Sequence, residues 1–349
     1  MFEKLMNNYY FGKSGKSDYS PEDLPKNRWQ QFWEILRIRF SGLVRLNLMY
    51  AVVWLPMLLV LLSVASGYTN ITSMVPWALD DTTGQYYVDE SLIGTPVMTL
   101  DTDGNEVETG LTYISQSDAD EMSHSMVTIL LLLMVPCITI TGPATAGVCY
   151  VTRNWARDEH AFIWSDFKDA VKANWKQSLV VSFITSLVPI VVYMCWQFYG
   201  DLSATNIWMG IPQVLVLMAG VIWALAVTYM HPLIVSYELR LRDVFRNAFL
   251  LAIARLPMSV GIRLLHALPM VLFFVLYLFS PGWGLLAPFV WYVLLGFGLS
   301  RFVTASYTNA VFDRFINSRI EGAVVNRGLN LQQDDDDDED EDEDGENAE

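Results

Sequence analysis

Basic side chains are missing from most of this chain. All 22 Lys and Arg residues lie in four stretches, 4–45, 153–176, 240–263 and 301–327, and long apolar segments separate them. Cysteine is scarce as well: Cys137, Cys149 and Cys195 all fall inside apolar segments, which excludes an extracellular disulfide framework and reads as small buried side chains. The first 45 residues lack the short apolar stretch of a cleavable signal peptide, so the first span must act as the insertion signal. Gly-x-Ser-x-Gly and His-Glu-x-x-His do not occur, and His124, His160, His231 and His266 show no ligand spacing. Gly12-Lys13-Ser14-Gly15-Lys16-Ser17 has the end of a nucleotide loop, but Tyr10 stands where its first glycine belongs and no strand precedes it. These absences point away from an enzyme, a cofactor, a metal site or a nucleic-acid partner.

What the chain does have is apolar length. Hydrophobic residues make up 53% of its 349 positions, charged residues 17%, and its mean hydropathy is +0.30. Six segments approach the ~20 apolar residues of a membrane-crossing helix. They run roughly over Leu46–Ser66, Met126–Cys149, Ser178–Phe198, Ile207–Tyr229, Leu264–Ser280 and Leu285–Val303. An even number of spans puts both termini on one side, and the basic bias makes that side the cytoplasm. The expected fold is therefore an all-α membrane protein, multi-pass in a bacterial plasma membrane with the lipid bilayer as its solvent. The formal charge of −16 comes mostly from the end of the chain, where 13 acidic residues crowd 334–349. Positions 331–349 hold almost no apolar residue and read as a disordered cytoplasmic tail.

The expected organisation is a cytoplasmic segment 1–28, an interfacial helix with the first span at 29–67, an acidic extracytoplasmic loop at 68–125, and a five-span domain at 126–330. Amphipathic segments precede the first, third and fifth spans: Trp29 to Arg45, a helix with Ser165 as N-cap, and Leu239 to Ala254. They either lie in the membrane interface or pack on each other as a cap. Their starts, at Phe32, Phe167 and Phe245, and the ends of the returning spans, at Tyr150, Tyr237 and Tyr307, allow a threefold helical-hairpin repeat, with chance matches as the alternative. The loop holds 11 acidic residues and no basic one. Within it, Val97 to Thr109 reads as a β-hairpin with Gly104 at the positive-φ position; a Ca²⁺ loop at Asp101, Asp103 and Asn105 is the alternative, but it lacks the required glycine and distal glutamate.

No Asp, Glu, Lys or Arg is expected near the middle of any span, which disfavours ion coupling. The candidate binding residues are instead Thr141, Pro143, Thr145, His231 and Pro232, read either as a kink with close helix packing or as a ligand path. Arg37, Arg39, Arg153, Arg157, Arg240 and Arg246 form a basic inner face for lipid or a partner, and Arg263 and His266 read as headgroup or loop contacts. Nine of the twelve tryptophans, Trp155 among them, are placed in an interfacial belt.

Tyr10-Phe-Gly-Lys, Asn47-Leu48-Met49-Tyr50, Thr141-Gly-Pro-Ala-Thr-Ala-Gly147, Tyr150-Val-Thr-Arg153 and Phe167 to Ser178 resemble the YesL-like family of bacterial integral membrane proteins, over about 1–66 and 126–325. That family has no established activity. The resemblance implies an accessory or scaffold near a carbohydrate ABC importer or its sensor kinase, by association only. A small-solute channel or transporter is the alternative, and a homo-oligomer fits either reading.

Overall fold

A computed structural model describes residues 24–101 and 103–329. The nucleotide-loop-like stretch at 12–17, Tyr10 and the acidic tail lie outside the described residues. Helices α1 (Arg28–Ser73), α2 (Gln116–Ala156), α3 (Ile163–Thr205) and α4 (Gly210–Ser236) are followed by the short α5 (Leu241–Ala254). Then come α6 (Leu256–Phe279), α7 (Pro281–Trp291) and α8 (Phe297–Phe315), with a π-helical turn at Tyr292–Gly296 joining the last two. Six helical segments are long and apolar enough to cross a membrane, and the protein is an all-α membrane protein.

The 46 residues of α1 would span about 69 Å at 1.5 Å per residue, roughly twice the ~30 Å of a hydrocarbon core. The amphipathic stretches ahead of the first and third spans are therefore not separate helices but the basic ends of α1 and α3. Only the third is separate, because Arg255 leaves helical geometry at φ −120 and ψ 36. Ser165 is not an N-cap: α3 starts at Ile163, and the Asp166 carboxylate accepts from the Phe162 N–H at 2.9 Å.

The connection between α1 and α2 is shorter than 68–125, since the helices occupy both of its ends. It carries two antiparallel hairpins, β1 (Trp77–Leu79) with β2 (Tyr86–Val88), and β3 (Pro96–Leu100) with β4 (Glu106–Thr112). Gly104 takes φ 83 at the second tip, as expected of that turn. There Asp101 accepts from the N–H groups of Asp103 and Asn105, each at 2.9 Å. The Asn105 N–H foremost holds the Asp101 carboxyl below its ordinary value of 3.8. The charged form is thus favoured by the folded turn, a contribution present above pH 3.8 and lost as pH falls through the lower folded value.

The helices follow a cyclic order. Phe167 of α3 packs against Gly147 of α2, whose added Cβ would meet the ring at 2.6 Å. Phe245 of α5 lies 5.8 Å from Trp223 of α4, and Phe32 of α1 stacks on Phe302 of α8 at 5.2 Å. Each incoming phenylalanine thus meets the returning helix of the preceding unit, and the first unit closes onto the last, as the threefold repeat requires. The returning helices α2 and α4 bury their later halves, Thr141–Ala156 and Leu225–Val235, and α8 has buried residues along most of its length, from Gly298 to Asp313. The cores sit there, toward the basic end. Trp155 belongs to one of them, 2% exposed against Gly42, and so leaves the interfacial belt.

Two of the three interfaces are repeated at atomic detail. A Cβ on Gly142 would collide with the Ser178 carbonyl and meet Ser182 Oγ at 2.7 Å, positions eleven and fifteen residues beyond Phe167. A Cβ on Gly298 would meet Asn47 Cβ at 3.0 Å and the Leu43 carbonyl at 3.3 Å, again fifteen and eleven residues beyond Phe32. Small residues at these crossings let backbones touch, the main attraction between helices in lipid. The third interface puts Tyr229 at the corresponding place, eight residues before Tyr237 as Gly142 is eight before Tyr150. Its hydroxyl bonds Ser259 Oγ at 2.6 Å and Tyr307 at 2.7 Å, and α6 buries nothing but Ser259.

Gly142→Leu is expected to abolish the folded monomer, and Gly142→Ala to lower stability by about 1–3 kcal/mol through overpacking; thermal unfolding in detergent reads both. Asp101→Ala should free the Asp103 and Asn105 amides to exchange with deuterium while leaving protection in the helices unchanged.

Candidate functional site

Arg301 lies near the midpoint of the 39-residue helical segment Pro281–Arg319, inside the bundle. Arg263 sits two turns into α6. Arg301 falls two residues before the end of the expected sixth span, Leu285–Val303, and Arg263 one residue before the expected fifth, Leu264–Ser280, while His266 is engaged by the Ser300 carbonyl. An arginine costs about 2.5–3.5 kcal/mol at the centre of a membrane-crossing helix on insertion scales, and even toward its ends a guanidinium turned into the bundle needs a reason.

The site is assembled from all six spans. Tyr50 of α1, fully buried, hydrogen-bonds the Arg301 side chain and exchanges a 2.6 Å bond with Thr145 of α2. Thr145 also donates back to the Thr141 carbonyl at 2.8 Å. Cys149, one turn along α2, and His231 of α4 both feel the Arg301 charge. His231 Nε2 lies 3.3 Å from Ser182 Oγ of α3, while its Nδ1 has no partner. On α6, Ser259, Arg263 and His266 fall at helical spacing on the inward face. His266 Nε2 lies 3.0 Å from the Ser300 carbonyl of α8 and so carries the proton that makes this bond. The charges of Arg263 and Arg301 act on each other and on the His266 ring, and Arg263 Nε has no hydrogen-bond partner. Among the described residues no Asp or Glu pairs with either arginine.

A local irregularity underlies this placement. The π-helical turn displaces the backbone ladder just before α8, leaving carbonyls to be satisfied. Asn47 satisfies them, donating to Tyr292 and Val293 at 3.1 and 2.6 Å and accepting from the Gly298 N–H at 2.7 Å. The wider turn also changes the helical phase, which sets the direction in which Arg301 leaves α8.

Of the residues expected to bind, the structure gathers Thr145 and His231 around Arg301. Thr141 and Pro232 are buried in the supporting helices, and Pro143 is partly buried on α2. The basic inner face divides. Arg37, Arg240 and Arg246 are exposed and Arg39 is partly so. Arg153 instead donates to the Val235 carbonyl at 2.7 Å with its guanidinium over Tyr150, and Arg157 pairs with Glu159 at 3.2 Å. Those two tie the basic end together, beside a knot in which Arg28 pairs with Asp313 and Arg327 with Glu159. Arg301, Asn47 and Tyr229 were missed as site residues. Their signal was present for Arg301 alone: no charged residue occurs between Arg263 and Arg301 or between Arg301 and Asp313.

The family model for a protein of unknown function, DUF624, matches residues 125–196. That stretch contains the Gly142, Thr145 and Ser182 contacts. The chain is also similar to the uncharacterized protein YesV of Bacillus subtilis (strain 168), 28% identical over 168 residues that cover 48% of this chain and 76% of that protein. No solved structure matches the chain.

Replacing a buried charge that lacks a carboxylate partner by an apolar group of similar size is neutral or stabilising, whereas removing a satisfied polar anchor is costly. Arg263→Met is therefore expected to leave the unfolding temperature in detergent unchanged or raised, and Asn47→Leu to lower it by several degrees. A marked loss for Arg263→Met would identify its guanidinium as a structural tie.

Proposed function

We propose that this is a YesL-like, non-enzymatic membrane protein that binds and passes a small solute through the seam between α6 and the pair α4 and α8. Its basic end and both termini face the cytoplasm of a bacterial cell, in line with the charge segregation along the chain. The single observation that carries the reading is the pair Arg263 and Arg301, held inside the bundle without a carboxylate partner at the one interface that Tyr229 keeps apart. Intramembrane ionisable groups that do not pair internally mark substrate pathways. The seam is polar along its length, with Ser259, Arg263 and His266 facing Tyr307, Arg301 and Thr304.

A second reading, an accessory to a carbohydrate ABC importer or its sensor kinase, is favoured by a groove of about 840 Å³ at the basic end, lined by Lys172, Lys176, Gln177, Glu238 and Arg240. Its exposed Trp175 and mixed charge suit a partner segment.

Purified protein in liposomes should give a solute flux that Arg301→Leu reduces at least about tenfold. Absence of flux across neutral and charged sugars, together with recovery of an importer component from mild detergent, would move the assignment to the accessory reading.

A further inference from the structure

We infer that the seam is a binding site for an anionic group, a phosphate or carboxylate, clasped by Arg263 and Arg301. The inference rests on the solute-binding reading and names the chemistry of its ligand.

The Arg263 and Arg301 guanidiniums stand on facing helices that the His266–Ser300 hydrogen bond joins at 3.0 Å, close enough for the charge of each to act on the other. All three are partly accessible rather than sealed in the core. Like charges brought together away from bulk water repel, and no carboxylate among the described residues offsets them. Among the described residues nothing supplies the balancing negative charge, and a bound anion would supply it. A neutral solute would leave both guanidiniums uncompensated, and a cation would add to the repulsion.

The donors also suit an oxyanion. Guanidinium forks match the paired oxygens of phosphate and carboxylate. Arg263 Nε is unpartnered. His231 Nδ1 is unpartnered too, on a ring only 4% exposed that the Arg301 charge reaches. The hydroxyls of Tyr50 and Thr145 are already linked to Arg301 and to each other, so they hold one guanidinium in place and leave the other free to close on a ligand.

Two sources can supply the same group. A soluble anion would enter from an end of the bundle. A lipid headgroup would enter sideways, since Leu264, Leu265 and Leu268 beside the seam are exposed on the outer surface of α6.

The test uses the full-length protein in mild detergent and in nanodiscs, with Arg263→Met as the seam variant, Arg301→Lys as a charge-retaining variant and Arg246→Met as a control on the exposed face. One arm follows the unfolding temperature in sodium phosphate and sodium acetate against sodium chloride at equal ionic strength. The other follows retention of phosphatidylglycerol against phosphatidylcholine by native mass spectrometry. A saturable stabilisation by phosphate or acetate, weakened about tenfold in Arg263→Met and unchanged in Arg246→Met, supports a soluble anion. Selective retention of phosphatidylglycerol with the same mutational pattern supports a lipid headgroup. Equal behaviour of wild type and Arg263→Met in both arms overturns the inference. So does flux of a neutral sugar that survives both seam substitutions, although that result leaves the transport reading standing. Anion binding without flux of any solute supports the inference and overturns the transport reading alone.

Discussion

Helix spacing is the constraint on which the rest of this structure depends. In lipid, apolar side chains gain nothing from hiding from the solvent, so helices hold together by close packing and by hydrogen bonds between polar groups. Gly142 and Gly298 permit that closeness at two interfaces, where Ser178, Ser182, Leu43 and Asn47 of the neighbouring helices press against the glycine backbone. Tyr229 replaces closeness with a hydrogen-bonded strut at the third. A nearly threefold bundle thereby acquires one interface bridged by a tyrosine in place of backbone contact.

That asymmetry gives the buried arginines their setting. Arg301 is hydrogen-bonded by Tyr50 on one flank, and on the other its charge reaches Arg263 and His266 across the third interface. The π-helical turn before it, secured by Asn47, works in the same direction, since the backbone accepts an irregular turn and directs one polar side chain inward. Irregular backbone at membrane depth is tolerated where its freed groups are satisfied by protein, and here one asparagine satisfies them. The basic end is tied differently, by ion pairs joining Arg28 to Asp313 and Arg327 to Glu159. The tyrosine-bridged arrangement is thus found at one interface, while the ends of α1, α2 and α8 that face the cytoplasm in the proposed topology are held together.

The comparisons fall on the close-packed part of the molecule. The family match covers 125–196, which holds the Gly142 contact with α3 but neither Arg263 nor Arg301. The similarity to YesV, at 28% identity, brings no activity with it, because that protein is itself uncharacterized.

Apolar length, the segregation of charge to one end and the Gly104 hairpin were all legible in the sequence, because each is set by residues adjacent along the chain. The starts at Phe32, Phe167 and Phe245 were legible as a pattern, but their meaning was not, since each ring packs on a helix from another unit. Arg301 opens a basic stretch and so resembles an interfacial residue; its depth depends on how far the helix continues to either side. Asn47 looked like one polar residue near a helix entry, and its partners stand about 250 positions away. By itself the sequence determined how many helices cross and which ends carry charge, because hydrophobic length and the cost of burying charge are local properties. Only the tertiary structure decided which polar side chains meet, because helix faces converge through contacts between distant residues whose spacing one glycine or one tyrosine can change.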